Sequence, residues 1–354
     1  MSFRAANEYA FVNARVRGLK FRFLGIGDYE RLVQSASYDE FVRTLLQTYY
    51  GPAITREFPY GEPSPEDLAL ILGREFAGVI HRLSRSLTGR VREFASSYMN
   101  MFLAESLKSL IRGLHVGLDK SEILRFSVPT SPSQAEVFSH LVEAGSVIRM
   151  VEELPYPDVK LALLTRLSFY EELESTAPLE VALEEWYLRS VLKSMDEFPD
   201  MDRHRIVSLL EPRVVLRNMI AILRAAVLQF NPRALDLSLV RFTARSNALT
   251  AMLRSRPSWR EVFSALENTR YAPLAGRLAR IYEQDQNLAE IELAVEDHLA
   301  QRMKVQLAAF PFHPGTVFGF CSLKYIEIKN LRSIAVGIER GESAEVIRRM
   351  ITIW

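Results

Sequence analysis

The sequence predicts an all-helical protein composed of three similar helical subdomains in a pseudo-three-fold arrangement. Two observations lead to this fold class. Apolar residues recur at the i, i+3, i+4 and i+7 positions of helices through most of the 354 residues, whereas alternating strand-like runs bounded by turn residues are scarce. In addition, several segments recur along the chain at a constant spacing of 112 residues, which indicates an internal repeat.

The repeat is clearest in three amphipathic segments that each carry one apolar stripe. The members of the stripes are Leu107, Leu110, Ile111 and Leu114, then Met219, Ile222, Leu223 and Ala226, then Leu331, Ile334, Ala335 and Ile338. Equivalent residues are 112 positions apart in both steps. Since any two amphipathic helices can be slid until their stripes match, the spacing must also hold for other segments.

Other segments obey the same spacing. Residues 179–187 (LEVALEEWY) match residues 291–299 (IELAVEDHL), which begin 112 positions later. The segments that start at Leu32 and Leu253 each reach a Thr-x-Tyr motif and are 221 positions apart, so a change of a few residues separates these two copies. The corresponding middle segment, 141–156, is shorter and has no such threonine.

The spacing divides the chain into three units, each large enough to fold as a small helical subdomain. The expected repeats are residues 1–125, 126–235 and 236–354. They are far longer than the roughly 34 to 47 residues of tetratricopeptide, HEAT or armadillo repeats. Proline- and glycine-rich breaks predict interhelical loops at 51–65, 128–133, 154–157, 196–201 and 311–315.

The composition is that of an ordinary folded protein and argues against several functional classes. The formal net charge is +1, so no excess of positive charge indicates nucleic-acid binding. Cys321 is the one cysteine, which excludes an intrachain disulfide and favours a reducing, cytoplasmic compartment. Charged residues interrupt the N-terminal apolar residues at Arg4, Glu8, Arg15 and Arg17, and no run approaches the ~18 to 20 apolar residues of a membrane span.

Motifs for catalysis and for cofactor binding are missing from the sequence. No Gly-rich phosphate-binding loop is present, because Glu30 stands where a third glycine after Gly25 and Gly27 would be needed. The six histidines form no metal-binding pair, and adjacent carboxylates such as Glu184 and Glu185 point about 100° apart on a helix. We therefore expect no catalytic residue, no cofactor, no metal and no direct nucleotide binding.

Stretches near both ends of the chain resemble a known family. The opening, 9–24 (YAFVNARVRGLKFRFL), is followed by a helix pair that ends in 45–51 (LLQTYYG). In the closing pattern, 318–351, an apolar stretch leads into a Lys/Glu-containing helix with an Asn-Leu-Arg element, which is followed by a glycine turn and a last short helix. Residues 214–225 (VVLRNMIAILRA) look like a second version of that helix. Together these stretches resemble the central-stalk C subunit of V-type and A-type ATPases, which is called the d subunit in the eukaryotic enzyme.

The resemblance implies a funnel-shaped, all-helical rotor subunit without catalytic activity. In that family three subdomains surround a cavity that receives the central shaft of the soluble head, and the opposite face sits on the membrane proteolipid ring. The implied partners are therefore the shaft subunits and the proteolipid ring, and the implied function is to transmit torque for proton or sodium transport. We expect a protein that is cytoplasmic, attached peripherally to the membrane through the ATPase complex, and monomeric when isolated.

Four polar residues of the repeated helices are candidates for a surface that binds a partner. They are Arg112, Asn218, Arg224 and Asn330. Two departures interrupt a three-fold set, since Ser106 replaces the asparagine in the first copy and Val336 replaces the arginine in the third. The alternative interpretation is that these positions cap loops or face water.

Two alternative functions remain beside the rotor subunit. One is a helical scaffold or peptide-binding adaptor unrelated to the ATPase. The other is an enzyme whose site is assembled from residues far apart in the sequence, which a motif search does not detect. Co-purification with membrane ATPase subunits distinguishes the rotor subunit from the scaffold, because only the first has those partners.

Overall fold

The computed structural model of the chain describes residues 3–20, 22–85, 87, 89–256, 258–308 and 313–354. Within these ranges the chain forms helices, turns and loops and no β-strand, which confirms the predicted all-α class. Phe21 of the opening stretch lies outside the described residues, and so do residues 309–312, which overlap the predicted loop at 311–315.

The described residues contain twenty helices. They are α1 (Phe3–Lys20), α2 (Ile26–Val33), α3 (Tyr38–Leu46), α4 (Gly51–Glu57), α5 (Pro65–Ser84), α6 (Gly89–Val116), α7 (Lys120–Arg125), α8 (Pro132–Glu143), α9 (Val147–Glu153), α10 (Pro157–Leu164), α11 (Leu167–Leu173), α12 (Ala177–Ser194), α13 (Asp200–Val227), α14 (Pro232–Leu237), α15 (Ala244–Arg254), α16 (Trp259–Glu267), α17 (Ala272–Asp285), α18 (Leu288–Ala308), α19 (Gly315–Glu339) and α20 (Ala344–Arg348).

Serine caps and prolines explain where many of these helices begin. The hydroxyl groups of Ser37, Ser146 and Ser258 accept hydrogen bonds from backbone N–H groups in the first turns of α3, α9 and α16. The three serines follow the repeat, because Ser146 and Ser258 are 112 positions apart and Ser37 and Ser258 are 221 positions apart. The segment 51–65, predicted as a loop, begins with the short helix α4, since Pro52 fits the first turn of a helix.

The chain divides into two compact units. The first comprises residues 1–155 and 303–354, and the second comprises residues 156–302. The chain passes from the second unit back into the first within α18. The assignment of three subdomains at 1–125, 126–235 and 236–354, and their pseudo-three-fold arrangement, remain predictions.

Each unit has its own apolar core. In the second unit, Met219, Ile222 and Leu223 of α13 belong to a buried cluster with residues of α15 to α18, as the predicted stripe requires. In the first unit, the rings of Phe76 and Phe102 lie 5.0 Å apart in an edge-on arrangement. The first three members of every predicted stripe are buried, whereas Ala226, close to the end of α13, is exposed.

The three long helices α6, α13 and α19 end in the same way. Backbone N–H groups of Leu118, Phe230 and Glu342 each donate a 2.9 Å hydrogen bond to the carbonyl oxygen five residues earlier. The preceding residue is left-handed in all three, with φ of 72° at Gly117, 53° at Gln229 and 71° at Gly341. This is the Schellman arrangement, and it recurs every 112 residues. The residue directly after each donating N–H group is the N-cap of a short helix. These N-caps are Asp119 of α7, Asn231 of α14 and Ser343 of α20.

The Thr-x-Tyr motif forms one local structure in both of its copies. Thr48 Oγ1 donates to the carbonyl of Leu45 at 2.6 Å and accepts from the backbone N–H of Tyr50 at 3.2 Å. Thr269 Oγ1 makes the equivalent bonds at 2.6 Å and 3.1 Å. Each motif therefore closes the helix before it, α3 or α16, and directs a tyrosine into the core.

Replacing Gln229 with glycine is expected to raise the free energy of unfolding of the second unit by about 1 kcal/mol. The left-handed backbone at this position costs an L-residue with a Cβ atom roughly that amount and costs glycine almost nothing. Urea denaturation followed by tryptophan fluorescence measures the change, because Trp186 and Trp259 both lie in this unit. The control Gln229→Ala keeps the Cβ atom and should leave the stability unchanged; an equal gain there would contradict the explanation.

Candidate partner-binding site

The four predicted site residues occupy two different environments. Asn218 on α13 and Asn330 on α19 are 0% and 3% exposed. Arg112 on α6 and Arg224 on α13 are exposed. The guanidinium of Arg224 forms an ion pair with the carboxylate of Glu292 on α18. The two arginines are therefore accessible to a partner, whereas the two asparagines are inside the protein.

The side chain of Asn218 holds a segment of backbone. Its Oδ1 accepts a hydrogen bond from the Val240 N–H at 2.9 Å, and its Nδ2 donates to the Val240 carbonyl at 2.8 Å. The same Nδ2 also donates to Thr250 Oγ1 at 3.1 Å. A buried amide needs partners for both its donors and its acceptor, and these bonds supply them.

The equivalent residues in the other two copies do the same. Asn330 Oδ1 accepts from the Thr352 N–H at 3.0 Å, and its Nδ2 donates to the Thr352 carbonyl at 2.6 Å. Ser106 Oγ accepts from the Val128 N–H at 3.0 Å and donates to the Val128 carbonyl at 3.2 Å. In all three copies the partner lies 22 residues after the side chain. We call Ser106, Asn218 and Asn330 the loop-clamp residues.

The loop clamps agree with the alternative interpretation that these polar positions cap loops. The serine of the first copy, which interrupts the asparagine set in sequence, fills the same role with one hydroxyl group, because a hydroxyl both donates and accepts. The part of Asn218 and Asn330 is therefore to hold the chain that follows the short helices α14 and α20. A partner surface that includes Arg112 and Arg224 stays a prediction.

Exposed apolar side chains cluster where two of the long helices end. Val116 and Leu118, at the end of α6, are 65% and 40% exposed. Leu228 and Phe230, at the equivalent positions after α13, are 57% and 39% exposed. The third copy has Arg340 and Glu342 there instead. Single exposed apolar residues are common, but recurrence at equivalent positions of two copies marks candidate contact surfaces.

Sequence reasoning missed a buried ion pair in the first unit. Lys324 and Glu327, one helical turn apart on α19, have side chains that are 1% and 0% exposed and form a salt bridge. Glu327 also accepts hydrogen bonds from the Tyr50 hydroxyl at 2.6 Å and from the Leu24 backbone N–H at 2.7 Å. The ammonium group of Lys324 donates to the Arg22 carbonyl at 3.0 Å. The available signal was a Lys-x-x-Glu spacing directly after the apolar first half of α19.

Burial and the ion pair act in opposite directions on the titration of Lys324. Burial lowers the pKa of Lys324, and the Glu327 carboxylate opposes that change. The rings of Tyr50 and Tyr49 lie 4.7 Å and 4.9 Å from the ammonium nitrogen and add cation–π contacts. The pKa of Tyr50 is raised well above its usual value, first by burial and then by the charge of Glu327. The pKa shifts of Lys324 and Tyr50 therefore reflect a network that holds the fold together, because the charged and polar groups of this network are bonded to one another.

The described residues contain no cluster suited to metal binding, and their one cysteine is buried. No three histidine, cysteine, aspartate or glutamate side chains among them are grouped to hold a metal ion. Cys321 is buried, and burial raises the pKa of its thiol. A search of the same residues finds no helix whose length and apolar content would suit it to span a membrane.

These features define an all-helical protein in which each of the three long helices ends in a Schellman arrangement and carries one loop-clamp residue. The ATP synthase (C/AC39) subunit model matches residues 12–350, and the chain belongs to that family. The C subunit of the A-type ATP synthase from Methanocaldococcus jannaschii is 26% identical over 351 residues, covering 97% of this chain and 86% of the relative. The protein of the same name from Haloferax volcanii is 23% identical over 367 residues and covers 100% of both.

Removing the loop clamp of the second copy should destabilise the second unit. Asn218→Ala is expected to lower its free energy of unfolding by about 2 kcal/mol, because the N–H and C=O of Val240 lose buried partners. Asn218→Ser should cost less, since the serine of the first copy makes both bonds. Urea denaturation of the three proteins tests the order. Equal stability of all three would contradict a clamping role.

Breaking the buried ion pair should destabilise the first unit more than replacing it. Glu327→Gln leaves the buried ammonium of Lys324 without a carboxylate, and we expect a loss of about 3 to 5 kcal/mol. The double variant Lys324→Met, Glu327→Gln should recover much of that loss because no buried charge remains. Guanidinium denaturation followed by circular dichroism measures both. Lys120→Met, which breaks the exposed Lys120–Glu143 pair, is the control and should change little.

Proposed function

We propose that this chain is the non-catalytic rotor subunit of an A-type ATP synthase or V-type ATPase. It links the central shaft of the soluble head to the membrane proteolipid ring and transmits torque for proton or sodium transport. The observation that carries the proposal is the family match over residues 12–350, together with relatives named as C subunits of A-type ATP synthases that align over nearly the whole chain.

The geometry of both units supports a role in an assembly. The ion-pair network and the loop clamps use polar side chains to hold the fold, which leaves them unsuited to chemistry on a substrate. The exposed apolar residues after α6 and α13 offer contact area to partner subunits. In this proposal the protein sits at the cytoplasmic face of the membrane, is held there by the complex, and is a monomer when isolated.

Arg112 and Arg224 are the proposed contacts with the shaft. Both are exposed, and both lie near the ends of long helices. An arginine presents several donors in a fixed geometry and suits pairing with carboxylates across an interface. The ion pair between Arg224 and Glu292 has both side chains partly exposed, at 49% and 42%, so a partner carboxylate can compete for the guanidinium.

An affinity pull-down from detergent-solubilised membranes tests the proposal. The tagged protein should recover the proteolipid, shaft and catalytic-head subunits, which mass spectrometry identifies. Absence of these subunits, from a preparation in which the ATPase is intact, would contradict the rotor function and favour a helical scaffold unrelated to the ATPase.

A matched pair of variants tests the proposed shaft contact in the same experiment. Arg224→Glu should reduce recovery of the shaft subunits by about tenfold, because reversing a charge at an interface places like charges together. Arg233→Glu is the control, since Arg233 forms a comparable exposed ion pair with Glu172 in the same unit. Equal recovery with the two variants would remove Arg224 from the shaft contact.

A further inference from the structure

A cleft in the first unit holds a buried positive charge. It lies where the first turns of α5, the end of α7 and the C-terminal part of α19 meet. Its apolar walls include Leu68, Leu72, Phe126 and Val336, and Arg332 lines it as well. The empty volume is about 310 Å³, including space open to solvent. The cleft is therefore open to another molecule at its surface.

Arg332 is buried and forms no ion pair with any carboxylate among the described side chains. The residue is 9% exposed. Of its five N–H donors, one makes a hydrogen bond within the described part of the chain, from Nη2 to the Ala69 carbonyl at 3.1 Å. Its Nε is buried and has no hydrogen-bond partner among those residues. Buried charges in proteins are normally paired, so this guanidinium is incompletely satisfied.

The repeat shows which group the third copy lacks. The equivalent of Arg332 in the first copy is Lys108, which is also buried and pairs with Glu105 at 3.1 Å. The equivalent of Glu105 in the third copy is Lys329, a residue of the opposite charge. The same repeat position therefore carries the acid Glu105 in the first copy and a second cation, Lys329, in the third copy.

The guanidinium of Arg332 keeps its charge at neutral pH. Burial lowers its pKa to about 10, which leaves it protonated at pH 7. The neighbouring cation of the cleft, Arg125, already pairs with Glu339 at 2.6 Å. An acidic group of a ligand can therefore pair with Arg332, and the apolar walls favour an apolar group next to that acid.

We propose that this cleft binds an acidic segment of a partner protein, with a glutamate or aspartate on Arg332 and an adjacent apolar side chain against Phe126 and Val336. A carboxylate fits the planar guanidinium with paired hydrogen bonds, which are stronger than bonds between neutral groups. The inference depends on the cleft and on the repeat comparison, and it does not depend on the rotor function.

Fluorescence anisotropy of the full chain tests the proposal with two labelled peptide amides. The probe contains the sequence Leu-Glu-Phe between Gly-Ser flanks, and its control has glutamine in place of glutamate. The first peptide should bind the protein about tenfold or more tightly than the second, because the charged bond is lost in the control. Arg332→Met should remove that difference, whereas Lys120→Met should keep it. Equal binding of the two peptides to the unaltered protein would overturn the proposal.

A second variant supplies the missing acid from within the chain. Val336 lies four residues after Arg332 on α19, so Val336→Glu places a carboxylate within reach of the guanidinium and inside the cleft. We expect this variant to unfold at a higher temperature and to bind the glutamate peptide at least about tenfold more weakly. Unchanged peptide binding by Val336→Glu would overturn the site. If an equal concentration of inorganic phosphate displaces the peptide, the proposed ligand is wrong and the cleft binds a small anion instead.

Discussion

The buried salt bridge between Lys324 and Glu327 is the interaction on which the first unit depends. Removing two charges from water costs several kcal/mol per ion, and the cost is offset when every remaining donor and acceptor is bonded. Glu327 meets this requirement with groups 303 and 277 residues earlier in the chain, the Leu24 N–H and the Tyr50 hydroxyl. The pair therefore requires the beginning and the end of the sequence to belong to one compact unit.

The network also explains why the resemblance rests on stretches at opposite ends of the chain. Leu24 closes the opening stretch, Tyr50 belongs to the segment that ends the first helix pair, and Lys324 and Glu327 lie in the closing pattern. These stretches are neighbours in space because they supply one another's hydrogen bonds. The ring of Phe23 lies 5.3 Å from the ring of Phe320, measured between centroids. The ring of Phe23 also lies 5.4 Å from the ammonium nitrogen of Lys324, so aromatic rings pack beside the ion pair.

The sequence predicts the helices and the spacing of the repeat well, because both depend on local periodicity. It does not predict that residues 303–354 belong with residues 1–155, since that depends on bonds such as Leu24 to Glu327 between distant positions. The sequence offers loop capping as one interpretation of Asn218 and Asn330, but it does not identify the backbone groups that they bind. A helical pattern identifies a polar residue on a helix. It does not identify the backbone peptide group, 22 residues further on, to which that side chain is hydrogen-bonded inside the protein. The repeat aligns Arg332 with Lys108 in the sequence, but the burial of both side chains is visible only in the structure.

The loop clamps have a consequence for how this chain can diverge. Each clamp binds the peptide group of its partner, and a peptide group is the same whatever side chain it carries, so Val128, Val240 and Thr352 serve equally well. The helical end of the clamp accepts serine or asparagine. Ancestral copies of a duplicated unit could therefore drift apart in sequence while they kept one architecture. Such drift hides common descent from residue-by-residue comparison and leaves it visible in the hydrogen bonds.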